Sequence, residues 1–203
     1  GVQTCALPIL HPGVPATGVR EFIAAAKSRP GGLSYASVGN GSATHLATEL
    51  FNAMAGTRIV HVPYKGSGPA LNDLLGGHVS VYIGSMPASL PQARAGKLRA
   101  LGVTGARRSP AAPELPTIAE AGLPGYESYT WFAIFGPKGL DAAVAQKFNA
   151  AIKVALDDPE TQKKLAEMGN TPRYETLQQF AATVKRDRAK WADVVKATGA
   201  KIE

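Results

Sequence analysis

Three short apolar segments are each followed by a turn of small residues and then by a helical pattern, and this repeat constrains the fold most. The segments cover residues 33–38, 58–64 and 78–84, and the turns after them contain GNGSAT, YKGSGP and IGSMP. A further strand-like run covers residues 97–105. Strands that alternate with helices in this way predict an α/β fold with a mostly parallel sheet and helices on both faces.

Helical patterns also occur outside this repeat. They cover residues 19–27, 141–156, 159–168 and 176–197. Asp141 and Thr176 are good N-cap residues for two of these helices. An apolar, strand-like segment at residues 129–137 precedes the last three helices, and no strand of comparable strength lies between them. We therefore place a domain boundary near residues 129–137 and expect the terminal helices to lack a sheet of their own.

The turn GNGSAT has the features of an anion site. Gly39 and Gly41 allow backbone angles that other residues avoid, and Ser42 is a good N-cap for the helix that begins at Ala43. The first N–H groups of a helix have no partner within the helix and attract anions. The alternative is an ordinary capped helix that binds nothing.

The other two turns strengthen the prediction of an anion site. Because the carboxyl ends of parallel strands share one edge of a sheet, all three turns should converge. Each turn offers small residues, backbone N–H groups and hydroxyls, Lys65 adds a cation, and Ser85 follows the third strand. This combination suits a carboxylate or a phosphate.

The catalytic and metal-binding alternatives are weaker. His45 and Glu49 lie four residues apart on one helix face, but the sequence has no HExxH pattern, so we expect a structural role for His45. His61 and His78 lie in predicted strands and are expected to be core residues. GNGSAT lacks the third glycine of a dinucleotide fingerprint, and no acidic residue follows at the expected distance. We therefore predict no catalytic residue, no metal and no cofactor.

The charge of the chain does not form a concentrated patch. The net charge is +7, and the densest basic stretch is KRDRAK at residues 185–190. This stretch contains an Asp and lies on the last predicted helix, which carries an apolar stripe on another face. The stripe consists of Phe180, Val184, Trp191, Val194 and Val195. We interpret KRDRAK as a solvated helix face and predict no nucleic-acid partner, although a small nucleic-acid patch is the alternative.

The first nine residues are unusual. The segment GVQTCALPI, from Gly1 to Ile9, contains the single Cys and matches the translation of a common sequencing adapter, GGA GTT CAG ACG TGT GCT CTT CCG ATC. We therefore expect residues 1–9 to be non-native and to contribute nothing to the fold. The native part would begin near Leu10, and the absence of a signal peptide would then say nothing about the compartment.

Several longer motifs carry a family resemblance. GSATHLATELF, IVHVPYKGSGPALNDLLGGHV, GKLRALGVTGARRSPAAPELPTIAEAGLPGYES and FNAAIKVALDDPETQKKLAEMGNTP resemble the substrate-binding proteins of tripartite tricarboxylate transporters, the Bug or TctC family. The resemblance runs from about Leu10 to the C-terminus. It implies a monomeric, periplasmic clamshell that holds a small organic acid between two lobes and delivers it to membrane permease subunits.

The resemblance also implies a layout. Residues 10–129 match the ligand-binding second lobe, and residues 130–203 match the C-terminal, mostly helical part of the first lobe. The ligand-gripping segment matches Gly41, Ser42, Ala43 and Thr44, with the turn containing Ser85 nearby. The N-terminal half-lobe of the family has no counterpart here. We therefore expect one nearly complete parallel-sheet lobe, with apolar surface exposed on residues 141–203.

These observations favour a solute-binding protein for small carboxylates rather than an enzyme. An enzyme acting on a small carboxylate is the alternative. It would need a proton-transfer pair near the anion turn, where the sequence offers only His45.

Overall fold

A seven-stranded sheet organises residues 2–200, which are the residues that the computed structural model describes. The strands are β1 (Val2–Leu10), β2 (Ser34–Ser37), β3 (Val60–Pro63), β4 (Val81–Ser85), β5 (Arg99–Ala100), β6 (Tyr129–Phe132) and β7 (Asn170–Pro172). The helices are α1 (Val19–Ser28), α2 (Ala43–Ala55), α3 (Ser67–Leu75), α4 (Met86–Arg94), α5 (Ile118–Ala121), α6 (Ala142–Asp157), α7 (Pro159–Glu167) and α8 (Leu177–Thr198).

The predicted repeat of strand, turn and helix is confirmed. Strands β2 and β3 pair in parallel, as do β2 and β4, and each of the three leads into a helix. The strand order is β3-β2-β4-β1-β5. The α/β fold class is therefore correct, although the sheet is mixed: β1 runs antiparallel to β4, β5, β6 and β7.

Helices cover both faces of this sheet, as the sequence predicts. Neighbouring residues of β4 separate the two cores: Val81 packs with α1 and α2, whereas Tyr82 packs with α3 and α4. The same division holds in β1, where Leu10 belongs to the first core and Ile9 to the second. Since side chains alternate along a strand, one sheet supports two apolar layers.

The expectation that residues 1–9 contribute nothing to the fold is wrong for Val2 to Ile9, because these residues form most of β1; Gly1 lies outside the described residues. Leu7 and Ile9 have no solvent-exposed surface. The strand is covered on both faces, so its sequence shows a continuous apolar run instead of the alternation that identifies a half-exposed strand. The adapter origin of these residues stays a prediction.

Strand β1 also links two groups of strands. Its second half, from Ala6 to Leu10, pairs with β4 and β5, while its first half, from Val2 to Cys5, pairs with β6 and β7. The expectation that the terminal helices lack a sheet is therefore wrong: β6, β7 and the first half of β1 form one beside them, and it depends on residues 2–5, which were expected to lie outside the fold. Strand β7 is only three residues long and was not predicted.

The terminal helices bury few side chains, as expected. Across α6, α7 and α8 only Leu156, Thr183 and Val194 are buried. Of the predicted apolar stripe, Val194 is buried and the other four side chains are partly exposed. Several large apolar side chains nearby face solvent, and we call them the apolar face: Phe132, Ile134, Phe135, Phe148 and Leu177.

No helix between residues 2 and 200 combines the length and the apolar character that crossing a bilayer requires.

Candidate functional site

Three helices begin where three parallel strands end, and their first residues line one cavity of about 180 Å³. We call it the turn cavity. Ala43 and Thr44 come from the start of α2, Ser67 from the start of α3, and Ser85 lies immediately before α4. The predicted convergence of the three turns is therefore present in the structure.

The first of these turns, residues 39–44, is held in shape by glycine conformations and by hydroxyls; we call it the glycine turn. Gly39 and Gly41 have φ angles of 126° and 70°, which side chains disfavour. Ser42 Oγ donates to Gly39 O at 2.7 Å and accepts from His45 N at 3.3 Å. The Ser42 hydroxyl thus closes the turn and caps α2 at the same time.

Thr44 is bound to the same turn. Its Oγ1 accepts from Val38 N at 3.0 Å and lies 3.1 Å from Ser42 Oγ. The N–H groups of Ala43 and Thr44, by contrast, donate to no group within residues 2–200. These two N–H groups are the unpaired donors that an anion at a helix N-terminus requires.

The second and third turns add two hydroxyls. Ser67 Oγ accepts from the Tyr82 hydroxyl at 3.2 Å. Ser85 has the extended backbone of an N-cap residue, but its side chain makes no capping hydrogen bond. Ser85 Oγ is therefore available to a ligand in a way that Ser42 Oγ is not.

The opposite wall of the turn cavity comes from β1 and from the segment that enters β6. It presents Thr4, Ser128 and Thr130. Ser128 is fixed by its backbone, since its N–H donates to Thr104 O at 2.8 Å. These residues were not predicted, because the segment that forms β1 was expected to lie outside the fold and residues 129–137 were assigned only as a domain boundary. The sequence signal that could have identified this wall is the pair of hydroxyl residues at positions 128 and 130. They lie two residues apart in a strand-like segment, so both face the same side.

The predicted site residues fall into two groups. Ala43, Thr44 and Ser85 line the turn cavity together. Gly41 and Ser42 shape the glycine turn without lining that cavity, and Lys65 is exposed at the surface.

The turn cavity has helix N-termini but no charged side chain in its described lining. Its lining contains no Asp, Glu, Lys or Arg among the described residues. The first turns of α2, α3 and α4 contain no acidic residue either. Each helix N-terminus carries a partial positive charge of roughly half an elementary charge. Three of them around a cavity of this size favour a small carboxylate or phosphate.

Two stacked histidines lie against the glycine turn. The rings of His45 and His61 are 4.0 Å apart at an angle of 8°, and His45 Nδ1 accepts from Gly41 N at 3.0 Å. Burial lowers the pKa of His45, and Glu49 raises it to a smaller extent. Burial, and then the neighbouring His45, lowers the pKa of His61 to about 4. Both rings are therefore neutral at neutral pH.

The structure corrects the expectation for both His61 and His78: His61 is not a plain core residue, and His78 is exposed and lies outside the strands. The His61 ring is partly exposed and contacts both His45 and Tyr35. Glu49, which the spacing placed beside His45, instead accepts from the Tyr35 hydroxyl at 2.6 Å. No group of three metal-ligating side chains occurs in the described part of the chain.

Two larger cavities lie between the start of β1 and residues 127–191. One, of about 440 Å³, mixes basic and acidic side chains, including Arg173, Lys190 and Asp187; we call it the charged cavity. Asp187 accepts from Trp131 Nε1 at 2.8 Å and pairs with Arg186. The other, of about 570 Å³, is lined mainly by apolar side chains, which include the apolar face. Neither cavity contains a predicted site residue. The carboxylates in the lining of the charged cavity disfavour the binding of an anionic ligand there.

Comparison with known proteins gives a consistent family match. A family model described as the tripartite tricarboxylate transporter family receptor matches residues 3–200. The protein BugT of Bordetella pertussis is 40% identical over 195 residues, which are 96% of this chain and 60% of BugT. A UPF0065 protein from the tcbD-tcbE intergenic region of Pseudomonas sp. strain P51 is 39% identical over 87% of this chain and 53% of its own length. The chain thus spans somewhat over half the length of these relatives.

Solved structures share the fold. A protein of R. palustris, solved with adipate, has a TM-score of 0.89 and 39% identity over 98% of this chain and 67% of its own. MatC from Rhodopseudomonas palustris with bound malate has a TM-score of 0.84 and 29% identity over 96% of this chain and 67% of its own.

Proposed function

The chain belongs to the tripartite tricarboxylate transporter receptor family, and on this premise we propose that it is a solute-binding receptor for a small carboxylate. The observation that carries the proposal is the convergence of three helix N-termini, free of acidic residues, on the turn cavity. The similarity to proteins solved with adipate and with malate supports a carboxylate as the ligand. Reversible binding without chemical change is the expected activity.

In the proposed complex, one ligand carboxylate lies against the N–H groups of Ala43 and Thr44. Ser85 donates a further hydrogen bond from the third turn. Gly41 and Ser42 act by holding those N–H groups in place, and Lys65 attracts anions from the surface at longer range. The remainder of the ligand faces Ser128 and Thr130. This arrangement uses all six residues selected from the sequence, in three different roles: ligand contact, support of the turn and long-range attraction.

The setting that we propose follows from the family. The protein acts in the periplasm as a monomer and delivers its ligand to the membrane permease subunits of a tripartite transporter. Residues 10–129, together with the second half of β1, form the ligand-binding lobe, and residues 130–200 contribute to the other lobe. The division of β1, which pairs with β4 and β5 in one half and with β6 and β7 in the other, supports a junction at this strand.

An enzyme acting on a small carboxylate is the competing function. Such an enzyme needs an acid–base pair beside the bound ligand. Among the described residues, the lining of the turn cavity contains no histidine and no carboxylate. His45 is buried behind the glycine turn and accepts a hydrogen bond from it, so the available contacts favour a receptor.

A binding panel tests the proposal. We would titrate the chain with succinate, malate and adipate, and with the neutral diamides of succinate and adipate, by thermal shift and calorimetry; these five compounds are the dicarboxylate panel. We expect saturable binding of at least one dianion, no binding of its diamide, and unchanged ligand in the NMR spectrum after incubation. Equal binding of the diamides, or conversion of the ligand, would contradict a carboxylate receptor.

A further inference from the structure

The histidine pair, His45 and His61, lies directly behind the donors of the proposed site. We infer that this pair holds the glycine turn in its ligand-binding shape, and that protonation of the pair releases the turn and weakens ligand binding. The inference deepens the proposed function and rests on it for its second part. Its first part, the coupling of His45 to the turn, concerns the protein without ligand.

His45 contacts the turn through one hydrogen bond of its ring and one of its backbone. The ring Nδ1 accepts from the N–H of Gly41 at 3.0 Å, and the backbone N–H of His45 donates to Ser42 Oγ at 3.3 Å. Gly41 has a φ of 70° and stands two residues before Ala43, whose N–H is one of the two unpaired donors. The His45 ring therefore fixes the segment that aims these donors.

His61 holds the other end of the same turn. Its Nε2 lies 2.6 Å from Ser37 Oγ, and that hydroxyl accepts from the N–H of Gly39 at 3.1 Å. The two imidazoles thus reach the two glycines of the turn, His45 directly and His61 through Ser37. Because the rings stack 4.0 Å apart, neither can move without disturbing the other.

The groups packed against the pair are few. Tyr35 stacks on His61 with ring centres 4.8 Å apart, and its hydroxyl donates to Glu49. Burial, followed by the hydrogen bond to Glu49, raises the pKa of Tyr35, so the phenol keeps its proton. Asn52 donates to the same Glu49 oxygen at 3.3 Å. Glu49 is thus the one carboxylate that bears on His45, and burial outweighs its effect.

Protonation changes the contacts in a defined way. A neutral His45 offers the lone pair of Nδ1 to the Gly41 N–H, whereas an imidazolium has a proton on Nδ1 and cannot accept. The two N–H groups would then face each other. If both rings are protonated, two like charges also stack at 4.0 Å in a partly buried site. The glycine turn is expected to open, and the donors of Ala43 and Thr44 to lose their common aim.

The first experiment needs no ligand. We would record the pH dependence of the Gly41 amide and of the His45 and His61 ring signals in the labelled chain by NMR. As the pH is lowered from about 7.5 to about 4.5, we expect the Gly41 amide shift to follow the ring signals of His45. A Gly41 amide that does not respond while His45 titrates would overturn the inference, whatever the chain binds.

The second experiment separates this role from simple stability. In His45→Asn, the side-chain oxygen can accept from Gly41 as Nδ1 does, but it does not titrate. We would measure affinity across the dicarboxylate panel at about pH 7.5 and at about pH 4.5 for three proteins: the unchanged chain, His45→Asn and His78→Asn. The last of these removes an exposed histidine elsewhere. The ligand itself is protonated to the same extent in the experiments on all three proteins, so a difference between them reflects the protein.

We expect the chain and His78→Asn to lose about tenfold more affinity on acidification than His45→Asn does. Equal losses in all three proteins would overturn the release step. If no panel compound binds at either pH, the proposed function fails, and the NMR titration still decides whether the histidine pair controls the turn.

Discussion

The hydroxyl oxygens of Ser42 and Thr44 lie 3.1 Å apart, and both are bound to the glycine turn itself. Ser42 Oγ donates to Gly39 O, and Thr44 Oγ1 accepts from Val38 N. Ser42 and Thr44, which the sequence suggested as ligand donors, therefore stabilise the glycine turn with their side chains. The unpaired donors are the backbone N–H groups of Ala43 and Thr44, which no substitution other than proline removes directly.

The support role gives a prediction for Ser42→Ala. We expect this change to lower the free energy of unfolding by about 1 kcal/mol through loss of the N-cap. We also expect it to weaken binding by about tenfold. Loss of the Ser42 hydroxyl misaligns the glycine turn, and this weakens a charge-assisted hydrogen bond from the turn to the ligand carboxylate. Urea denaturation and calorimetry measure the two effects.

The matched control for Ser42→Ala is Thr176→Ala. Thr176 caps α8, which begins away from the turn cavity. Like Ser42 Oγ, the Thr176 hydroxyl accepts a hydrogen bond from a backbone N–H of the first helical turn. It should show a similar loss of stability with unchanged affinity. Equal affinities for both variants would mean that the Ser42 cap does not position the ligand donors.

A charge reversal at the cavity tests the anion preference. Ser85→Asp keeps a good N-cap residue before α4 but adds a carboxylate to the lining of the turn cavity. We expect binding of the dicarboxylate panel to weaken by about a hundredfold or more, because like charges a few ångströms apart repel. The fold should be retained, which circular dichroism verifies.

Gly18→Asp is the control for this reversal. Gly18 precedes α1 with an extended backbone, and nothing within 4 Å would meet an added Cβ. The variant carries the same extra charge at a helix N-terminus away from the cavity. If it weakens binding as much as Ser85→Asp does, the effect reflects net charge and not the site.

Strand β1 is predicted to be essential for stability. Leu7→Ala should lower the free energy of unfolding by about 3 kcal/mol, because Leu7 is fully buried and the change leaves a cavity. Gln3→Ala, at a partly exposed position of the same strand, should cost much less. An unchanged unfolding midpoint for Leu7→Ala would support the original expectation that the first nine residues lie outside the fold.

Stability should also depend on pH through the histidine pair. The pKa of His61 falls from an ordinary 6.5 to about 4 on folding, so the unfolded chain binds more protons between these values. Stability is therefore fully present above about pH 6.5 and is lost as the pH falls towards about 4. His61→Gln should flatten this part of the curve. An unaltered pH dependence in the variant would mean that other groups cause the loss.

The apolar face predicts self-association of the chain. Phe135 and Phe148 are 66% and 58% exposed, which is unusual for aromatic side chains. Phe135→Ser and Phe148→Ser should each shift sedimentation towards the monomer, whereas Val60→Ser, an exposed position on β3, should not. A chain that is monomeric at all concentrations before substitution would contradict this reading of the face.

A chimera tests the same surface in another way. The part of BugT that this chain does not match could be joined to it, since the chain spans 60% of BugT. We expect the chimera to cover the apolar face, to stay monomeric and to bind the dicarboxylate panel more tightly. Unchanged self-association would mean that another partner covers this face.

The repeat of strand, turn and helix could be predicted from the sequence because its signals are local. Ser42, Asp141 and Thr176 were identified as N-caps, and each accepts the expected backbone hydrogen bond. Strand β1 could not be recognised, because a strand buried on both faces loses its alternation and here also resembles a foreign segment.

The site was predictable only in part, for a related reason. The turns that follow strands converge by topology, which sequence order reveals. The wall formed by Thr4, Ser128 and Thr130 depends on strand pairing between residues more than 100 positions apart, which leaves no local signal. The stacking of His45 on His61 likewise requires the register of β2 and β3.

The central claim is that a carboxylate binds where the three helix N-termini meet. A titration of the ¹⁵N-labelled chain with the tightest member of the dicarboxylate panel, followed by amide chemical shifts, tests it most directly. We predict that the amides of Ala43, Thr44 and Ser85 shift together in a saturable manner. Saturable shifts confined to the charged cavity around Arg173 and Lys190, with Ala43 and Thr44 unaffected, would contradict the claim.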